Sequence, residues 1–188
     1  MLDLAYGKFL AMEKDDEEAA FSIAARLLEN GTHTSDDINQ ILDKHHKDPF
    51  IGVFVSAAIN ACKSTHINVH AKGVDYLCYR LDLREVSVTG NAGKYLGYEM
   101  ISGAINIKGS SGDRTGARMR GGKILIDGDA GDLAGNRMEG GEIEIHGKAG
   151  IWVGAYMSGG KMTIGKEAGK GAGEGKNGGE LIIAGRQI

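Results

Sequence analysis

The feature that most constrains the fold is a period of 19 residues running through the second half of the chain. Offsetting the sequence against itself by that step superimposes Val86/Val88, Ile105/Ile107, Ile124/Ile126, Ile143/Ile145, Met162/Ile164 and Leu181/Ile183. Glycines keep the same register in three columns: Gly90, Gly109, Gly128 and Gly147; Gly93, Gly112, Gly131, Gly150 and Gly169; Gly97, Gly116, Gly135, Gly154 and Gly173. Each unit reads I-x-I-x-G-x-x-G-x-x-x-G-x-x-M-x-G-G-x, most cleanly in ILIDGDAGDLAGNRMEGGE. Of the 188 residues 31 are glycine and one is proline, without the every-third spacing of collagen, so the repeat accounts for the bias.

Apolar residues alternating with polar ones mark a short strand with one buried face, and the period is too short for the helix pairs of α-solenoids. Each unit is therefore expected to be one coil of a single-stranded right-handed β-helix, with coils stacked ~4.8 Å apart and equivalent residues forming ladders. Glycine at fixed offsets would let the corners take positive φ and let neighbouring coils approach closely. Met100, Met119, Met138 and Met157 form one such ladder and are expected to fill the interior beside the Ile/Val ladder. Regular coils span residues 86–183. The fifth decays, with Lys166 and Lys176 where glycine and methionine belong, and Ala184-Gly185 closes the last strand.

Residues 1–64 hold only Gly7, Gly31 and Gly52 and read as a separate small α-helical segment, against a β-helix domain over 65–188. Asp15 with Glu18 suggests a capping box for a helix over about 16–30, carrying Phe21, Ala24, Ala25 and Leu28 and stopped at Asn30-Gly31. Thr34 with Asp37 suggests a second box ahead of Ile38, Ile41 and Leu42. Asp48-Pro49 opens a third segment, FIGVFVSAAINAC, with proline in a tolerated first-turn position. That segment is apolar and uncharged, which argues against a DNA-reading helix-turn-helix. Residues 65–85 keep the register weakly through Ile67 and Val69, and with the helices they are expected to cap the solenoid.

A net charge of −3 and a pI near 6.1 supply no footprint for nucleic acid. The opening MLDLAYGKFLAMEKDDEE has no basic region followed by an apolar run, and no segment approaches the ~20 apolar residues of a membrane span. A cytoplasmic protein with no membrane or nucleic-acid partner is expected. Cys62 and Cys78 have no second pair to form a zinc or disulfide pattern and are expected to be buried free thiols.

The phrases GDAGDLAGNRMEGGEIEIHG, GKAGIWVGAYMSGGKMTIG and GNAGKYLGYEMISG resemble the GXGXG repeat family, found in the formylmethanofuran dehydrogenase C subunit and in the C-terminal domain of the glutamate synthase large subunit. The resemblance covers about residues 86–183, and the regular Gly-Gly closure is closer to the former. It implies a β-helix that holds the catalytic parts of an oxidoreductase complex in position without being the seat of chemistry. Residues 1–64 match neither relative.

The chemistry motifs are few. There is no G-x-S-x-G elbow and no phosphate loop; GSSG at 109–112 and MSGG at 157–160 fall on repeat corners. A G-x-G-x-x-G at Gly173, Gly175 and Gly178 runs into the strand ELIIAG, so no helix N-terminus would receive a pyrophosphate. His66 and His70 lie in a strand pattern, ~13 Å apart, too far for one ion. His45-His46 reads as a solvated helix end, and His33 and His146 are isolated. No catalytic, cofactor-binding or metal-binding residue is assigned. Two outward columns stand out instead: Tyr95, Arg114, Leu133, Trp152, and Glu99, Arg118, Arg137, Tyr156. Trp, Tyr and Arg are enriched at interfaces, and Arg118 above Arg137 should repel unless an anion or a partner carboxylate intervenes. Tyr95, Arg114, Arg118, Arg137, Trp152 and Tyr156 are thus the candidate partner or anion interface. The expected function is a non-catalytic scaffold subunit, associated with other subunits or with itself. The alternatives are a glutamate synthase-type domain and an independent small-molecule enzyme or binding protein using the arginine face for an anion.

Overall fold

The computed structural model describes residues 2–12, 14, 16–28 and 33–188. Four helices, α1 (Leu2–Leu10), α2 (Glu17–Leu28), α3 (Ser35–His45) and α4 (Ile51–Ala61), precede a single sheet of eight strands. The strands are β1 (His66–His70), β2 (Glu85–Thr89), β3 (Ala104–Lys108), β4 (Lys123–Ile126), β5 (Glu142–Ile145), β6 (Lys161–Ile164), β7 (Glu180–Ile183) and β8 (Arg186–Gln187). Strands β1 to β7 pair in sequence order and in parallel, each residue with its equivalent 19 positions on, as in Val86↔Ile105↔Ile124↔Ile143↔Met162↔Leu181. This is the β-helix expected from the period. Its interior holds Ile124 and Ile126 of β4 and their equivalents in β1 to β6, with Leu181 of β7, and Met100, Met119, Met138 and Met157 are all 0% exposed. Among the described residues no helix is long and apolar enough to cross a membrane.

The stack extends further back than the glycines do. His66–His70 pairs in parallel with Glu85–Thr89, and residues 66–84 form a complete coil. Tyr76, Cys78 and Arg80 have φ of +57°, +61° and +52°, matching Tyr95, Gly97 and Glu99 one coil on. Buried Cys78 thus occupies a glycine position.

The glycine columns divide the two tasks expected of them. Gly116 has φ +62°, and a Cβ there would lie 2.5 Å from Ile143 Cδ1, so this column is both left-handed and pressed against the interior. The column containing Gly150 is not left-handed. A Cβ at Gly150 would fall onto Asp132 Oδ1, which accepts the Ile151 amide at 2.9 Å across the coil gap. Asp113 does the same for Asp132 N at 3.1 Å, and Asp75 for Lys94 N at 2.7 Å. A second ladder links Asn91 to Ser110 N, Ser110 to Asp129 N and Asp129 to Lys148 N. Short oxygen-bearing side chains thus bridge successive coils, and the glycines leave them room.

Among the described residues the N-terminal segment holds four helices where three are expected; α1 arises because Leu2, Tyr6 and Phe9 share one buried face, with Tyr6 and Phe9 against Phe54. The Thr34/Asp37 capping box forms as expected. The box at Asp15 and the stop at Asn30-Gly31 lie outside the described residues; Asp16 Oδ1 accepts the Ala19 amide at 2.8 Å. Pro49 precedes α4 rather than occupying its first turn, and Asp48 accepts the Phe50 amide at 2.8 Å.

These helices cover the first coil's backbone edge. From α3, Ser35 Oγ accepts the Asn68 amide, while Asn39 accepts from His70 N and donates to Asn68 O. From α4, Ser56 Oγ accepts the Tyr79 amide, and Asn60 donates to Arg80 O and accepts from Asp82 N. Gly52 lets α4 sit directly on the backbone at Asp75. Each helix presents a pair four residues apart, one helical turn, replacing the strand and turn that a preceding coil would offer.

Candidate functional site

Each coil carries a six-residue turn between its second glycine and its methionine, at 94–99, 113–118, 132–137 and 151–156. Within it, left-handed residues alternate: Arg114 (+60°), Gly116 (+62°) and Arg118 (+56°) in one coil, Trp152 (+59°), Gly154 (+62°) and Tyr156 (+56°) in another. Bonds from Ala117 N to Arg114 O and from Met119 N to Gly116 O close two successive β-turns, with Gly116 and Arg118 at the third positions, where positive φ is required. The alternation turns successive amides to opposite neighbours: Gly116 N–H donates to Leu96 O on one coil, Arg114 and Arg118 N–H to Asp132 O and Asn136 O on the other. The repeat predicts glycine at the left-handed corners. In these four coils only one residue of the three is glycine; the flanking two are the tyrosines, glutamate, arginines, leucine and tryptophan of the outward columns.

The structure stacks these columns as the sequence lays them out and adds a member to each. Tyr76 lies flat on Tyr95, with centroids 4.4 Å apart and planes at 3°. Arg114 lies over the Tyr95 ring at 5.8 Å, and Trp152 packs over Gly171 in the last coil. In the second column Glu99 pairs with Arg80 at 4.0 Å and with Arg118 at 3.5 Å, while Arg137 lies over Tyr156 at 5.9 Å. Between the columns Tyr79 and Tyr98 stack at 6.0 Å, so four tyrosines form a block at the first two coils. Burial drives the Tyr79 phenol up to about 12 and raises that of Tyr98, so both stay protonated donors. The tyrosine repeats Tyr76/Tyr95 and Tyr79/Tyr98, each 19 apart, are the sequence signal that could have revealed the extra coil.

Arg114, Arg118 and Arg137 converge, with Tyr98, Ala117 and Asn136, on a recess of about 250 Å³. Among the described residues no carboxylate lies within 4.0 Å of Arg114 or Arg137, and the contact between Arg118 and Glu99 is the only ion pair at the triad. Toward the helices the corner runs into a larger groove of about 640 Å³, lined by Phe21, Ala57, Leu83 and Ile101 with Arg80 at the junction. Leu83 there is 70% exposed and left-handed at +55°.

The other sequence candidates stay apart from this corner. His66 and His70 mark the two ends of β1, both outward-facing, and His66 sits 3.3 Å from Glu85. Among the described residues no three His, Cys, Asp or Glu side chains gather around a common point. Cys62 and Cys78 are buried free thiols, as expected, and burial raises the pKa of both. Burial lowers that of His33, whose backbone oxygen accepts from Cys62 Sγ at 3.2 Å. Gly173 and Gly175 lie in the turn of the last coil, ahead of β7.

Fold and site together define a parallel β-solenoid with a helical cap and a laddered aromatic and cationic corner. No known protein family, curated protein or solved structure matches the chain.

Proposed function

We propose that the chain is a non-catalytic scaffold subunit of an oxidoreductase complex, similar to the formylmethanofuran dehydrogenase C subunit, and that it holds a partner polypeptide along its turn corner. The observation that carries this reading is the placement of bulky side chains at left-handed φ in coil after coil. A non-glycine residue there gives up roughly 1–2 kcal/mol. Gly171 and Gly175 occupy the same two columns in the last coil, so glycine fits them. Retaining Tyr, Arg and Trp at strained positions is the pattern of a surface kept for contact. The repeat's resemblance supplies the kind of complex. The glutamate synthase-type alternative has the weaker support, because the Gly-Gly closure recurs in four of the five regular coils, with Ser102-Gly103 in its place in the first.

The test is affinity purification of the tagged chain from its native cells, beside a variant carrying Tyr95→Gly and Trp152→Gly. The native chain should bring down partner subunits that the variant loses while remaining folded. Recovery of the native chain as a lone monomer, or a variant that keeps every partner, would overturn the reading.

A further inference from the structure

The recess within the corner has chemistry of its own. Arg114, Arg118 and Arg137 approach it from two adjacent coils, flanked by the Tyr98 phenol and by Asn136, whose amide nitrogen is held by Ala155 O at 3.1 Å. Three guanidiniums against the single carboxylate of Glu99, 3.5 Å from Arg118, leave a surplus of two positive charges. Arg118 and Arg137 hold equivalent positions on neighbouring coils, their backbones ~4.8 Å apart, and both guanidiniums line the recess, where among the described residues Glu99 is the one carboxylate paired with the triad. Such a cluster is relieved by an oxyanion. A carboxylate presents two oxygens and one charge, whereas the phosphoryl group of a monoester presents three and carries about −1.5 to −2 near neutral pH. Three planar donors at a common recess match the latter in number and in charge.

We infer that this recess binds the dianionic phosphoryl group of a phosphate monoester, with Arg114, Arg118 and Arg137 on its oxygens and Tyr98 as a neutral donor. The inference rests on the reading of the turn corner as the working face and names the chemistry recognised there. The recess opens to solvent along the corner, leaving the ester oxygen and its substituent an exit, so both free phosphate and a monoester should be admitted.

The experiment is calorimetric titration of the full chain with inorganic phosphate, phenyl phosphate and acetate at matched ionic strength, between pH 5.5 and 7.5. Both phosphates should bind, acetate should not, and affinity should climb through pH ~6 as the phosphoryl group loses its second proton. Arg137→Gln and Arg114→Gln, each checked for a thermal transition no lower than that of the native chain, should weaken binding about 10- to 100-fold, the loss expected for one charge-assisted contact. Binding of phosphate with exclusion of phenyl phosphate would overturn the monoester assignment. Equal binding of acetate, or affinity indifferent to both variants, would overturn the site. Partner capture that depends on Tyr95 and Trp152 would survive either failure, and phosphate binding by the isolated chain would survive the absence of any partner.

Discussion

The strand wall and the turn corner of this solenoid are built from the same repeat but obey different rules. On the wall, β-branched residues sit in extended backbone, and outward charges alternate from coil to coil: Lys123 meets Glu142 at 3.3 Å and Lys161 meets Glu180 at 3.5 Å. Nothing on that wall conflicts locally with the fold. At the corner, large side chains occupy left-handed backbone and two arginines lack carboxylate partners among the described residues. A sequence that is consistent along one face and conflicted along another shows which face is under a demand other than folding.

The contrast breaks down if the two faces do not share one interior. Ile143 is 0% exposed, pairs with Ile124 and Met162, and its Cδ1 presses on Gly116 in the turn. Ile143→Ala should therefore cost about 2–5 kcal/mol in chemical denaturation. Hydrogen exchange should accelerate on the turn amides as well as on the wall; loosening of the wall alone would mean that the corner is held independently. Next in size is the seal at the first coil. Asn60→Ala strips partners from Arg80 O and Asp82 N and should cost about 2–3 kcal/mol, because those groups are left unpaired under α4. A neutral result would show that water reaches that edge and that the helices are not its cover.

Much of the wall was legible because period-2 burial and a fixed 19-residue step are properties of the sequence alone. The extra coil at 66–84 was only half legible, since Cys78 hides a glycine position. The bridging Asn, Ser and Asp side chains stand in plain view in the corners GNAG, GSSGD and GDAGD. Their role depends on which amide lies beneath them in the next coil, which a one-dimensional reading does not supply. The outward columns were legible as ladders but not as strained ones, because φ at Arg118 or Tyr156 is set by turn geometry and tight stacking against residue preference. Helix α1 escaped notice for a local reason: its apolar triad Leu2, Tyr6 and Phe9 is short and interrupted by Gly7.

The strain at the corner predicts a gain of stability on mutation. Arg137→Gly removes the left-handed penalty of roughly 1–2 kcal/mol and gives back ~0.4–1 kcal/mol through the more flexible unfolded chain, so the variant should be more stable by about 0.5–1 kcal/mol. Relief of repulsion from Arg118 would act in the same direction, and salt separates the two causes. A backbone gain persists at 1 M ionic strength, where the Debye length is ~3 Å, whereas an electrostatic gain fades. A destabilised variant would instead show that packing against Tyr156 outweighs the strain.

The smallest effect belongs to the wall. Lys123→Glu sets a carboxylate opposite Glu142 and close to Glu144, each now within 3.5 Å of the lysine ammonium. Like charges directly across a strand pair are unfavourable, yet side chains this exposed make and lose little, so the cost should be about 0.5 kcal/mol in dilute buffer and near zero in high salt. The two salt responses then set wall against corner directly: a wall substitution whose effect vanishes on screening, beside a corner substitution whose effect does not, assigns charge to the first face and backbone strain to the second. Were both effects to vanish together, the corner would be an electrostatic feature, and the unpaired arginines rather than the left-handed turns would be what distinguishes it.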